Sequence, residues 1–142
     1  MRLSDVLDSK GWETVVTNEN VTATEAVKLM CDKHVGAVVI TDAKSQVGGI
    51  LTERDILRCY AEHGNKLGEM RVSKIMTRKV ETAAPDASVD EMLNTMTNKR
   101  IRHIPVVRGG KLVGIVSIGD MVKAMLQEKM QEADSLREYI TS

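Results

Sequence analysis

Aromatic side chains are nearly missing from this chain: one Trp, two Tyr and no Phe among 142 residues. Sequence-tolerant binding of single-stranded nucleic acid needs rings on which bases stack, so that class of function is excluded. An excess of one charge is missing as well. Lys and Arg number 20 and Asp and Glu number 20, for a formal net charge of zero. No net field draws such a chain to nucleic acid or to an anionic membrane surface. The two cysteines, Cys31 and Cys59, lie inside helical patterns without the paired spacing of a zinc site, so free thiols and no metal site are expected. No segment approaches the ~20 apolar residues of a membrane-spanning helix. Met1 to Asp5 hold no apolar run of signal-peptide type, and cytoplasm is the expected compartment. Catalytic signatures are lacking too. The three histidines lie apart, with no nucleophile elbow and no Walker phosphate loop, so no enzymatic activity is expected.

What is present is a repeat. Gly49-Ile50-Leu51-Thr52-Glu53-Arg54-Asp55 returns 65 positions later as Gly114-Ile115-Val116-Ser117-Ile118-Gly119-Asp120. In each copy an apolar run ends at a hydroxyl residue, an Asp follows three positions on, and a helical pattern begins. Upstream, Thr22 with Glu25 and Ser88 with Glu91 form Ser/Thr-x-x-Glu, the capping box that starts a helix. Ala23, Ala26, Val27 and Met30 in one copy, and Val89, Met92, Leu93 and Met96 in the other, fall on one helical face. Paired strands follow: residues 36–40 with 47–51, and 104–107 with 112–116, the second pair joined at Gly109-Gly110. A further strand is expected before each capping box, over 13–17 and 79–82.

Each unit therefore reads strand–helix–strand–strand–helix. The expected fold is α+β, two such units packed through their sheets with pseudo-two-fold symmetry. Units of about 60 residues are marginal alone, because they bury a limited share of their surface. The boundaries expected are 1–65 for the first unit with its N-terminal segment, 66–128 for the second, and 129–142 for a C-terminal helical extension. His63 to Gly68 read as the linker.

The two corners suggest nucleotide chemistry. Helix N-termini attract phosphate, because their first amides lack partners and the macrodipole is positive there. A neighbouring carboxylate can accept hydrogen bonds from a ribose diol. The simpler reading of Thr52-x-x-Asp55 and Ser117-x-x-Asp120 is a capping box with Asp in place of Glu. The two roles are compatible.

This duplicated order, closed by Gly-hydrophobic-x-Ser/Thr-x-x-Asp, resembles the CBS domain, and the chain from about Gly11 to Gln127 looks like a stand-alone tandem pair, a Bateman module. The residues that carry the likeness are Gly49 to Asp55, Gly114 to Asp120, Arg102 to Val106, and Ser73 to Thr77 opening the second unit. The resemblance implies an adenine nucleotide in a cleft between the units: AMP, ADP, ATP, NAD(H) or S-adenosylmethionine, with no cofactor required. It implies that Asp55 and Asp120 hold ribose hydroxyls while Thr52 and Ser117 meet phosphate. The adenine pocket would be lined around Val16, Thr17, Val80, Thr82, Val38, Ile104 and Pro105. The copies differ, with Gly36-Ala37 against Arg102-His103 and Glu53-Arg54 against Ile118-Gly119, so two equal sites are not expected.

Arg54 either pairs with phosphate or covers the helix surface. The basic run from Asn98 to His103 either complements a helix C-terminus or brings Arg102 and His103 to nucleotide phosphate. Beyond Gln127, Met130, Ala133, Leu136, Tyr139 and Ile140 form a stripe outside the repeat, which points to a homodimer. Function is therefore expected to be sensing and regulation: adenine-nucleotide binding reported to another protein. The alternative is a partner-binding or dimerisation module with vestigial nucleotide sites.

Overall fold

The computed structural model describes residues 1–141, and Ser142 lies outside the described residues. Its elements are α1 (Leu3–Lys10), β1 (Val16–Thr17), α2 (Ala23–Lys33), β2 (Ala37–Thr41), β3 (Val47–Thr52), α3 (Glu53–His63), a 3₁₀ stretch (Gly64–Glu69), α4 (Val72–Ile75), α5 (Val89–Lys99), β4 (His103–Arg108), β5 (Lys111–Ser117) and α6 (Ile118–Thr141). They form two small sheets, β1-β2-β3 and β4-β5. Within the first, β1 runs parallel to β2 and β2 antiparallel to β3.

Local sequence explains where the helices start. Thr22 accepts the Glu25 amide at 3.2 Å while the Glu25 carboxylate takes the Thr22 amide at 3.0 Å. At Ser88 the hydroxyl half of the motif is present, with the Glu91 amide at 3.4 Å. Each such cap is worth about 1 kcal/mol. α2 and α5 both end on a left-handed residue, His34 and Arg100, each at φ 55, a common helix stop.

The first core gathers Ala23, Ala26 and Met30 of α2 with Val38, Ile40 and Leu51 of the sheet. In the second, Val89 and Met96 of α5 meet Ile104, Val106, Val116 and Met121. Strand alternation sends Ala37, Val39 and Ile50 to the opposite sheet face, yet these are buried too. The two units pack through those faces, and the Leu112 amide donates to the Ser45 carbonyl across them at 3.1 Å.

The lead-in helices are exchanged between units. Leu3, Val6 and Leu7 of α1 sit in the second core, whereas Val72, Ile75 and Met76 around α4 sit in the first. Matching backbone bonds hold each. Leu3, Ser4 and Val89 amides donate to Ala87, Pro85 and Met1, and Val72, Ser73 and Ala23 amides donate to Val21, Glu19 and Met70. Trp12 keeps the same company as α1, with Arg108 of β4 5.6 Å from its ring centre. The segment that chain order assigns to the first unit thus completes the core of the second.

Two strand expectations are corrected. The first strand is only Val16–Thr17. Residues 79–82 form no strand; the chain touches β4 through one bridge, Ala83 to Val106. Only Ala83 is buried there, and Val80 and Thr82 have no facing strand to pair with. The helical extension expected over 129–142 continues the closing helix of the second unit, since α6 runs unbroken from Ile118 to Thr141. Its Leu126, Met130, Leu136, Tyr139 and Ile140 are exposed.

Candidate nucleotide cleft

A hollow of about 480 Å³ opens where the N-terminus of α3 meets the segment joining α5 to β4. One wall is Thr52, Glu53, Arg54, Asp55, Leu57 and Arg58, with Gly36 and Ile50; the other is Arg100, Ile101, Arg102 and His103, closed by Thr77. Both units therefore contribute. The left-handed turn at Arg100 delivers Arg102 and His103 to the cleft. Ending β3 at Thr52 delivers Asp55.

Asp55 is the one buried charged residue among those described, with 4% of its surface exposed. Its Oδ2 accepts the Thr52 amide at 2.9 Å and the Thr52 hydroxyl at 3.1 Å. Its Oδ1 accepts Arg58 at 2.7 Å and the Thr77 hydroxyl at 3.1 Å. The carboxylate thus caps its own helix and still borders the hollow.

The guanidinium groups of Arg54, Arg100 and Arg102 form no hydrogen bond or ion pair among the described residues. Guanidinium groups without a partner on three residues that line one hollow suit a phosphate, to which each can donate two bonds. His103 stays neutral more readily than an ordinary histidine. Burial lowers its pKa most; the charges of Asp120 and Glu53 pull the other way, and Lys10 and Arg102 reinforce the lowering.

The second corner is built differently. Asp120 Oδ2 accepts the Ser117 amide at 2.9 Å and the Lys10 ammonium at 2.6 Å. Burial alone would raise the Asp120 pKa, but the bonds from Lys10 and Ser117 together lower it. A second hollow of about 660 Å³, between α2 and α3, is lined by Val27, Met30, Cys31, His34, Val35, Gly36, Glu53, Ile56 and Leu57. Neither hollow is lined by Ser117 or Asp120.

Of the residues singled out from sequence, Thr52, Arg54, Asp55, Arg102 and His103 are brought together. Ser117 and Asp120 pair at the other corner. Val38 and Ile104 do not line the cleft, because both are sealed in the helix-facing cores, and Pro105 is buried between its neighbours in β4. Val16, Thr17, Val80 and Thr82 also stand outside it. Sequence reasoning overlooked Thr77 and Arg58 as partners of Asp55. Arg58 was findable, since it lies three residues on along the same helix. Thr77 was not, because it reaches Asp55 through the pairing of Ile50 with Thr77.

Comparison with known proteins fits this geometry. The family model of the CBS domain matches residues 4–62 and again 72–127. The chain belongs to the CBS domain family. A relative, the CBS domain-containing protein CBSX3, mitochondrial, of Arabidopsis thaliana, is 38% identical over 97% of this chain and 71% of its own length. The solved structure of the CBS-domain containing protein ATU1752 from Agrobacterium tumefaciens is 39% identical, with a TM-score of 0.85 over 88% of this chain and 99% of that one. The CBS domain protein PAE2072 from Pyrobaculum aerophilum, solved in complex with AMP, is 28% identical with a TM-score of 0.75, covering 84% and 89% of the two chains. No helix among the described residues is long and apolar enough to cross a membrane.

Proposed function

We propose that this CBS pair is a regulatory sensor of an adenine nucleotide, bound at the Asp55 cleft and reported to another protein without chemical turnover. The observation that carries this reading is the set of three unpaired guanidinium groups, Arg54, Arg100 and Arg102, around one hollow that both units wall. Its volume, about 480 Å³, lies within the usual range for small-molecule sites. The AMP complex of the Pyrobaculum relative supports an adenine nucleotide as the ligand class.

Arg58 is the partner of Asp55 that can yield, since 57% of its side chain is exposed. A ribose diol takes its place on Oδ1, and Arg58 is freed toward phosphate. Arg54 approaches from the first unit and Arg100 and Arg102 from the second, so an occupied cleft ties the units together. The equilibrium between open and closed forms shifts only by the difference in affinity for the two. The exposed stripe of α6 is read as the contact of a homodimer, and the setting as cytoplasmic.

Isothermal titration with AMP, ADP, ATP, NADH and S-adenosylmethionine tests the reading. Heat is expected with at least one ligand, and replacing Arg100 and Arg102 together by Gln weakens that ligand by about tenfold or more if it carries phosphate. Absence of heat with every ligand at millimolar concentration refutes it. A second reading, a partner-binding or dimerisation module with vestigial sites, is favoured by one observation: both aspartates already cap their own helices. Partner binding or dimerisation that ignores every nucleotide would select it.

A further inference from the structure

The second corner is filled by the chain itself. The repeat presents the same two acceptors twice: the Ile50 carbonyl with the Asp55 carboxylate, and the Ile115 carbonyl with the Asp120 carboxylate. Thr77 serves the first pair, its amide donating to Ile50 at 2.9 Å and its hydroxyl to Asp55 at 3.1 Å. Lys10 serves the second pair with one ammonium group, 2.9 Å from the Ile115 carbonyl and 2.6 Å from Asp120.

Helix length creates the difference. α4 has 4 residues, and the chain leaves it in time for Thr77 to lie along β3. α1 has 8 residues and ends on Lys10, whose stem reaches over β5 to Asp120. At the Asp55 corner the cation present is Arg58, with over half its side chain exposed; at the Asp120 corner Lys10 is anchored at two acceptors and 31% exposed. The repeat also sets Gly36 and Ala37 where the Asp55 cleft has Arg102 and His103, and the second corner borders neither hollow.

We propose that Lys10 is the standing occupant of the Asp120 corner, so that each chain binds one nucleotide, at Asp55, and Lys10 is what shuts the other site. This inference rests on the nucleotide reading above. The ammonium stands where a ribose hydroxyl would donate; either donor meets an ionised carboxylate, but only the ammonium adds the attraction of opposite charges.

The test counts AMP bound per chain by native mass spectrometry, on the full chain and on Lys10→Met. Wild type is expected to take one AMP. Lys10→Met is expected to take a second, weaker one, with the first affinity kept within a few-fold, because the only link between the corners is the charge of Lys10 and Asp120 felt at His103. Two AMP on wild type, or one on both proteins, overturns the lock and leaves the nucleotide reading standing. No AMP on either protein overturns both. Amine acetylation of wild type gives a readout independent of the variant's folding. Lys10 is expected to react about tenfold more slowly than exposed Lys79, with or without AMP, as a held ammonium should. Reaction at the rate of Lys79, or exposure of Lys10 on adding AMP, overturns the proposal.

Discussion

Gly49→Ala sets two effects of opposite sign against each other, and the structure decides between them. Gly49 carries no positive φ, so Ala is allowed by the backbone and should gain about 0.4–1 kcal/mol by narrowing the unfolded ensemble. A Cβ there, however, would stand 2.6 Å from Met76 Sδ and 3.0 Å from the Thr77 carbonyl oxygen. Met76 is buried, and the Thr77 carbonyl is fixed by the Ile50 amide at 2.9 Å, so neither yields freely. Overpacking of this kind costs about 1–3 kcal/mol. The expected net loss is about 1–2 kcal/mol, read as a lower urea midpoint at unchanged slope. Gly48→Ala is the control: its Cβ meets only the Ile40 carbonyl at 3.6 Å, so no loss is expected. Gly114→Ala meets Leu7 methyl carbons at 2.9 and 3.0 Å and should fall between the two. Because a displaced Thr77 also leaves Asp55, Gly49→Ala should weaken AMP binding beyond what Gly114→Ala does. A Gly49→Ala protein as stable as wild type, or a Gly48→Ala protein equally damaged, would refute the reasoning.

Two further outcomes concern pH. Asp120 has a lowered folded pKa, so its contribution is complete above the unfolded value of ~3.9 and disappears as pH falls through the folded one; the stability gap between wild type and Lys10→Met should therefore close in acid, and a gap persisting at pH ~2 would count against the ion pair. His103 also has a lowered folded pKa, so the unfolded chain binds its proton first and stability rises with pH up to ~6.5. Unfolding free energies measured across that window should lose part of their slope in His103→Gln, and an unchanged slope would contradict the assignment.

The repeat was legible because each half carries the same local signals: a cap, a helical stripe, a hairpin and a corner. Those signals act over a few residues, so they fixed α2, α5, β3 and β5 well. Residues 79–82 misled because Val80 and Thr82 suit a strand locally, whereas pairing is decided by β4, which the chain meets only at Ala83. Val38 misled because β2 is buried on both faces, and without alternation a sequence does not say which side a ligand sees. At the site, Thr52, Arg54, Asp55, Arg102 and His103 follow from the corner and the basic run. Lys10 and Thr77 do not, since they reach their aspartates across 110 and 22 positions. Nothing in the α1 stripe says whose core it joins.

That exchange of lead-in helices has a bearing on assembly. Each half holds the other's first helix like a hooked arm, so a cut within residues 64–69 would leave two pieces that part only when both hooks let go. The same arms are interchangeable between molecules. At high concentration, or during refolding from denaturant, one chain's α1 can seat in a neighbour's second half, giving interlocked dimers by domain swapping that owe nothing to the α6 stripe.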